Sequence, residues 1–184
     1  SPEILGRSIN LSEAQKAYAA NSIGSLAQGC DPLEVEAKFW SSWSRDTCYP
    51  QTTFSWTHAV LDSLKSRGLL LALATSRIEP FEEVQKYLQE KELTGYFDTI
   101  LTLHGRGHRW DEKDLMVNDI LKRCQLSPNK AVLVGDHPED MKAGVRSNVQ
   151  YNIGVLTGGF SEATLSEAGA HTVVASGESL LDLM

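Results

Sequence analysis

The residues of this 184-residue chain whose types and spacing can do chemistry lie in its C-terminal two thirds. Gly135-Asp136-His137-Pro138-Glu139-Asp140 follows the apolar run Ala131 to Val134. Two carboxylates at a strand end and in the first turn of the next helix suit a hard cation such as Mg²⁺, which takes oxygen ligands and keeps several waters. Thr75-Ser76-Arg77 ends a second apolar run, Leu69 to Ala74. A hydroxyl there can hydrogen-bond a phosphate oxygen beside backbone N–H groups, and a guanidinium can assist. Lys113 stands between these two runs at the start of a helix, where an ammonium can balance a phosphate and a carboxylate. Each feature alone is ordinary. Acids and hydroxyls cap helices, and most lysines are solvated. His137 has no second His or Cys nearby and forms no metal motif.

The elements that would position these residues follow from the pattern of apolar positions. From Ser55 onward, strand and helix alternate. Val60, Leu61 and Leu64 mark one helical face, closed by Gly68. The uninterrupted run Leu69 to Ala74 predicts a parallel strand buried on both faces. Pro80 starts a helix with Phe81, Val84 and Leu88 on one side. Ile100 to Leu103 is a strand. Asp111 precedes a helix carrying Leu115, Met116, Ile120 and Leu121. Ala131 to Val134 is a strand and Pro138 opens the next helix. Tyr151 to Leu156, a helix near Glu162 to Ala168, and Thr172 to Ala175 complete the order. Such alternation predicts an α/β fold, a parallel sheet with helices on both faces. Ligands in these folds bind at the carboxyl ends of the strands.

The first third reads as helical. Ser12 to Gln15 has the form of a capping box, Asp31-Pro32 that of a cap and first-turn proline. Phe39, Trp40 and Trp43 predict an aromatic face packed against the other N-terminal helix, with a hinge near Pro50 to Ser55. A net charge of −7 argues against a sequence-independent grip on nucleic acid, which needs a basic face. Cys30, Cys48 and Cys124 form no CxxC pair and no disulfide framework, which suits a reducing, cytoplasmic setting. The longest apolar run is far too short to span a bilayer, and no leader opens the chain.

Taken together, a strand-end hydroxyl, then a lysine, then Gly-Asp-x-x-x-Asp at another strand end resemble the second, third and fourth motifs of the haloacid dehalogenase (HAD) superfamily. The surrounding text is similar to the phosphoglycolate-phosphatase-like branch: LALATSR at 71–77, Gly95-Tyr96-Phe97-Asp98, AVLVGDHPEDMKAG at 131–144, IGVLTGG at 153–159 and GAHTVV at 169–174. The resemblance covers about Trp56 to Met184. It implies a Rossmann-like core over 54–184, a small helical cap over 1–53, and Mg²⁺-dependent hydrolysis of a small phosphorylated metabolite through an aspartyl-phosphate. On this resemblance Thr75 and Lys113 are catalytic, and Thr75, Ser76, Arg77 and Lys113 bind phosphate. Asp136 and Asp140 hold the metal.

Three departures from the family pattern stand out. Asp114 follows Lys113 where many relatives have proline. Ser147-Asn148 replaces a common glycine, which reads as a local turn variation. The Asp-x-Asp-x-Thr segment that ends the family's central strand, and supplies its nucleophile and its general acid, has no counterpart, because no Asp-x-Asp pair occurs in the chain. Ser1-Pro2-Glu3 resembles the text just after that segment. The family's first strand would lie between the strands ending at Thr75 and Val134, so on this resemblance either an upstream piece, a second chain or a swapped segment fills that place, or the two strands pair directly in an altered sheet. The chain as written is then expected to be inactive. The alternative is a non-catalytic pseudoenzyme that binds a phosphorylated ligand or a protein partner.

Overall fold

A computed structural model describes residues 53–76, 80–103 and 112–183, together with 3–4, 7–8, 17, 26, 29–32 and 34–35. The chain divides into two compact units, Ser1–Gln51 and Thr52–Met184. In the first, the two-residue strands β1 (Glu3–Ile4) and β2 (Arg7–Ser8) pair antiparallel, a feature the helical reading of this stretch did not include. Gly29 has φ +85°, the left-handed region that glycine enters without strain, and helical positions resume at Pro32. Ala17, Leu26 and Val35 are buried. The Ser12–Gln15 capping box, Phe39, Trp40, Trp43, Cys48 and Pro50 lie outside the described residues.

The second unit carries the α/β alternation. Helix α1 (Thr57–Ser66) buries Val60 and Leu64 and ends before Gly68, at φ +76°. Strand β3 (Ala72–Thr75) pairs in parallel with β4 (Thr99–Thr102), in the register Ala72 to Thr99 through Thr75 to Thr102. Asp98 fixes that register at its start. Its carboxylate accepts from Lys65 Nζ at 2.9 Å and from the Leu71 N–H at 2.8 Å. The Lys65 hydrogen bond, and then the Leu71 N–H, hold this carboxyl below its usual range. Between the two strands runs α2 (Phe81–Glu90), whose Val84 and Leu88 pack with Leu73 and Ile100. Phe81 is exposed rather than on that buried face.

Helix α3 (Lys113–Arg123) buries Met116 against Leu101 and Leu103. Strands β5 (Val132–Gly135), β6 (Tyr151–Val155) and β7 (Thr172–Val174) form a second parallel sheet in the order β5-β6-β7. Helix α4 (Pro138–Arg146) follows β5 and α5 (Glu162–Glu167) follows β6. Met141, Phe160 and Leu165 make their shared core with Leu133. Burying such side chains contributes roughly 1.5–3 kcal/mol each. No described helix is long and apolar enough to cross a membrane.

One expectation fails in an instructive way. The apolar run at 69–74 is not buried on both faces. Leu69 and Leu70 precede the strand and are exposed, and Ala72 and Ala74 within it are exposed too. Strand β5 shows the same alternation, with Val132 at 53% and Val134 at 44% exposure. The physical reason is topological. Each of β3 and β5 has a strand on one side only among the described residues, so each is an edge where the apolar pattern suits a centre.

Candidate functional site

The site forms where the N-termini of α3 and α4 meet. Lys113 opens α3, and its Nζ donates to Asp140 Oδ1 at 2.6 Å, with both side chains less than one fifth exposed. Asp140 lies in the first turn of α4, where its other oxygen, Oδ2, accepts from the His137 N–H at 3.1 Å. His137 completes the reciprocal cap, its Nδ1 accepting from the Glu139 N–H at 3.1 Å. An accepting Nδ1 requires the neutral ring with its proton on Nε2. Burial, and then the Lys113 charge, push the His137 pKa down and so favour that neutral ring. The ring also meets Phe160 edge-on at 4.6 Å, which anchors the cap in the core.

Asp136 ends β5 one residue before this cap. Its carboxyl is pushed above the usual carboxylate range, first by burial and then by the negative charge of Asp140, with Lys113 opposing. Two glycines let the backbone approach these acids. A Cβ on Gly135 would collide with the Asp140 side chain. A Cβ on Gly158 would lie 2.7 Å from Asp136 Oδ2 and 2.8 Å from its Cβ. The signal for Gly158 was present in the Thr157-Gly158-Gly159 text, but nothing in one dimension links it to Asp136.

The structure thus brings Lys113, Asp136 and Asp140 into one electrostatic cluster, although Lys113 and Asp140 lie 27 residues apart in sequence. Ser76, just past β3, lines the same cavity of about 200 Å³ as Lys113 and Asp140. Thr75 is the last residue of β3 and pairs with Thr102. Arg77 and Asp111 lie outside the described residues. Asp114, the departure beside Lys113, accepts from Arg146 Nε at 2.8 Å and so ties α3 to the end of α4. Asn148 has φ +53°, in the left-handed region that asparagine enters more readily than most residues.

A hard divalent cation fits this donor set. The Asp136 carboxyl is raised first by desolvation and then by the negative charge of Asp140, and a cation would offset that like charge. Asp140 offers hard oxygens beside it, already engaged by Lys113 and the His137 N–H. No group of three or more His, Cys, Asp or Glu side chains forms a full ligand set among the described residues. Water and a phosphate would supply the remaining ligands, as Mg²⁺ prefers.

Known proteins resemble this chain in sequence and in fold. Residues 33–153, which is 121 of 184, match the model of the haloacid dehalogenase-like hydrolases. A phosphoglycolate phosphatase from Aquifex aeolicus is 32% identical over 105 residues, covering 55% of this chain and 44% of its own length. The pyrophosphatase PpaX from Bacillus velezensis is 29% identical over 121 residues, covering 66% of this chain and 54% of its own. The chain therefore spans about half the length of these curated relatives. A solved structure of a predicted phosphatase from Clostridium acetobutylicum superposes with TM-score 0.74 at 23% identity, over 96% of this chain and 82% of that one. The parallel α/β layers, the motif order and the matched family model agree, and this chain belongs to the haloacid dehalogenase-like hydrolase family, on the phosphoglycolate-phosphatase-like side that its motifs suggest.

Proposed function

We propose that residues 1–184 form the phosphate- and cation-binding part of a Mg²⁺-dependent phosphatase acting on a small phosphorylated metabolite. The observation that carries this reading is the Lys113–Asp140 pair at 2.6 Å beside Asp136, at the carboxyl end of β5. In this reading Asp136 is the principal protein ligand of Mg²⁺, and Asp140 helps to hold it. Bound Mg²⁺ would supply Lewis-acid stabilisation of charge on a phosphoryl oxygen. Lys113 balances the charge of the bound phosphate and orients Asp140. Thr75 and Ser76 donate hydroxyl hydrogen bonds to phosphate oxygens, with Arg77 assisting. The neutral His137 holds the α4 N-terminus in place, and its adjoining N–H groups favour an anion. The N-terminal unit acts as a lid that selects the substrate. A reducing, cytoplasmic compartment suits the free thiols of Cys30 and Cys124.

Hydrolysis by the family route needs an aspartate nucleophile, and no Asp-x-Asp segment is present in residues 1–184. The expected behaviour is therefore binding without turnover. A colorimetric assay on purified residues 1–184 with phosphomonoesters and Mg²⁺ checks this, with Asp136→Asn as the contamination control. No release of phosphate above that control is the expected result. Robust release by the parent chain, abolished by Asp136→Asn, would place a nucleophile within these residues and overturn the reading.

A further inference from the structure

The loop that joins β6 to α5, residues 156–160, meets the candidate site at two points and is fastened at both ends. The Leu156 N–H donates to the Val174 carbonyl at 2.9 Å, and the Ser161 hydroxyl caps α5 by accepting from the Thr164 N–H at 3.2 Å. Phe160, buried with Met141 and Leu165, sets its ring edge-on to His137 at 4.6 Å. Between these fastenings Gly158 packs on Asp136. A Cβ on Gly158 would lie 2.7 Å from Oδ2, 2.8 Å from Cβ and 2.9 Å from Cγ of that aspartate. The contact therefore runs along the whole side chain and not only its tip. Rotation about χ1 carries Oδ2 and Cγ away but leaves Cβ in place, so a methyl group is admitted only if the loop or the end of β5 moves. Gly158 does not occupy the left-handed region, so this glycine answers to space and not to backbone conformation. Asp136 is itself exposed. An exposed aspartate ordinarily exchanges among staggered χ1 rotamers, and the Gly158 contact closes part of that range.

We propose that Gly158 is a positioning residue: through it, the fastened loop holds the Asp136 carboxylate in one orientation at the carboxyl end of β5. The inference rests on the reading of Asp136 as the principal protein ligand of Mg²⁺. Mg²⁺ demands near-ideal geometry of its oxygen ligands, so a carboxylate turned aside costs affinity. A ligand already oriented has less freedom to lose when the cation arrives. The loop does this with backbone alone, because any larger residue at 158 would take the space that the aspartate occupies. Phe160 serves the same end from the other side. Its ring holds His137, whose N–H orients Asp140 Oδ2 at 3.1 Å, so one short loop braces both acids.

The test uses the full chain and begins in metal-free buffer. Three-bond couplings to the Asp136 β protons are read by NMR, with the nuclear Overhauser contact from the Gly158 α protons to them. The parent is expected to show one dominant χ1 rotamer and that contact. Gly158→Ala should lose the rotamer, because either the carboxylate turns away or the loop lifts and frees it. Gly95→Ala, whose added methyl meets nothing, should leave the couplings unchanged. Couplings averaged over rotamers in the parent overturn the proposal whether or not the alanine variant folds. Couplings in Gly158→Ala equal to those of the parent overturn it too. Calorimetric titration of Mg²⁺ is the second arm, in which Gly158→Ala is expected to weaken binding by about tenfold. Binding that Asp136→Asn weakens and Gly158→Ala leaves unaltered overturns this proposal alone. Equal affinity in the parent and Asp136→Asn overturns the cation reading, and with it the purpose assigned to the loop.

Discussion

Asp136 carries the most direct consequence at the scale of single residues. Its pKa is raised in the fold, so the folded chain holds that proton more tightly than the unfolded chain does. The stabilising contribution of this group is complete below the ordinary value of 3.8 and is lost as pH rises through the folded value. In metal-free buffer at pH 7 the ionised carboxylate therefore opposes folding. Asp136→Asn is expected to stabilise the chain at pH 7, by less than about 1 kcal/mol because solvent screens this exposed group. Urea denaturation at pH 7 and below 3.8 checks it. The gain should vanish at the lower pH, and a variant no more stable than the parent at pH 7 would contradict the assigned cause. Lys113 acts in the opposite sense on its neighbours. Lys113→Met leaves Asp140 without its ammonium and should cost about 1–3 kcal/mol in the same measurement. It should also raise the Asp136 pKa further, because Lys113 is the principal group lowering it. Carboxyl ¹³C titration reads that direction.

At the scale of elements, backbone approach decides more than side-chain pairing does. Asn152 is fully buried on β6, and its Nδ2 donates to the Met141 carbonyl of α4 at 3.1 Å and to the Gly169 carbonyl at 3.2 Å. Gly144 of α4 lies so close that an added Cβ would strike the Asn152 amide. Gly144→Ala is expected to cost about 1–3 kcal/mol, measured by thermal denaturation, as α4 lifts from β6. A Gly95→Ala control, whose added methyl meets nothing, should leave stability unchanged within about 0.5 kcal/mol. These close approaches were not legible in the sequence, because they pair residues from separate elements. What was legible is local. Pro138 opening α4, Gly68 closing α1 and Val84 with Leu88 facing inward all follow from spacing and turn chemistry. The capping role of His137 was missed, because histidine is not among the usual N-caps and the Phe160 contact that anchors it comes from a distant part of the sequence. The reading of 69–74 as doubly buried failed because apolar composition reports what a strand is suited to, whereas burial depends on its neighbours.

At the scale of the whole molecule, the order of the motifs carries the family, and the corner between α3 and α4 gathers Lys113, Asp136 and Asp140 as that order implies. The central claim is that this corner binds a hard cation through Asp136. Calorimetric titration of Mg²⁺ into the purified chain and into Asp136→Asn tests it most directly. Too few ligands are present among the described residues for tight binding, so the parent is expected to bind with a dissociation constant on the order of 1 mM, or about 4 kcal/mol. Asp136→Asn should weaken that binding by about tenfold or abolish it. Equal affinity in the two proteins would contradict the account.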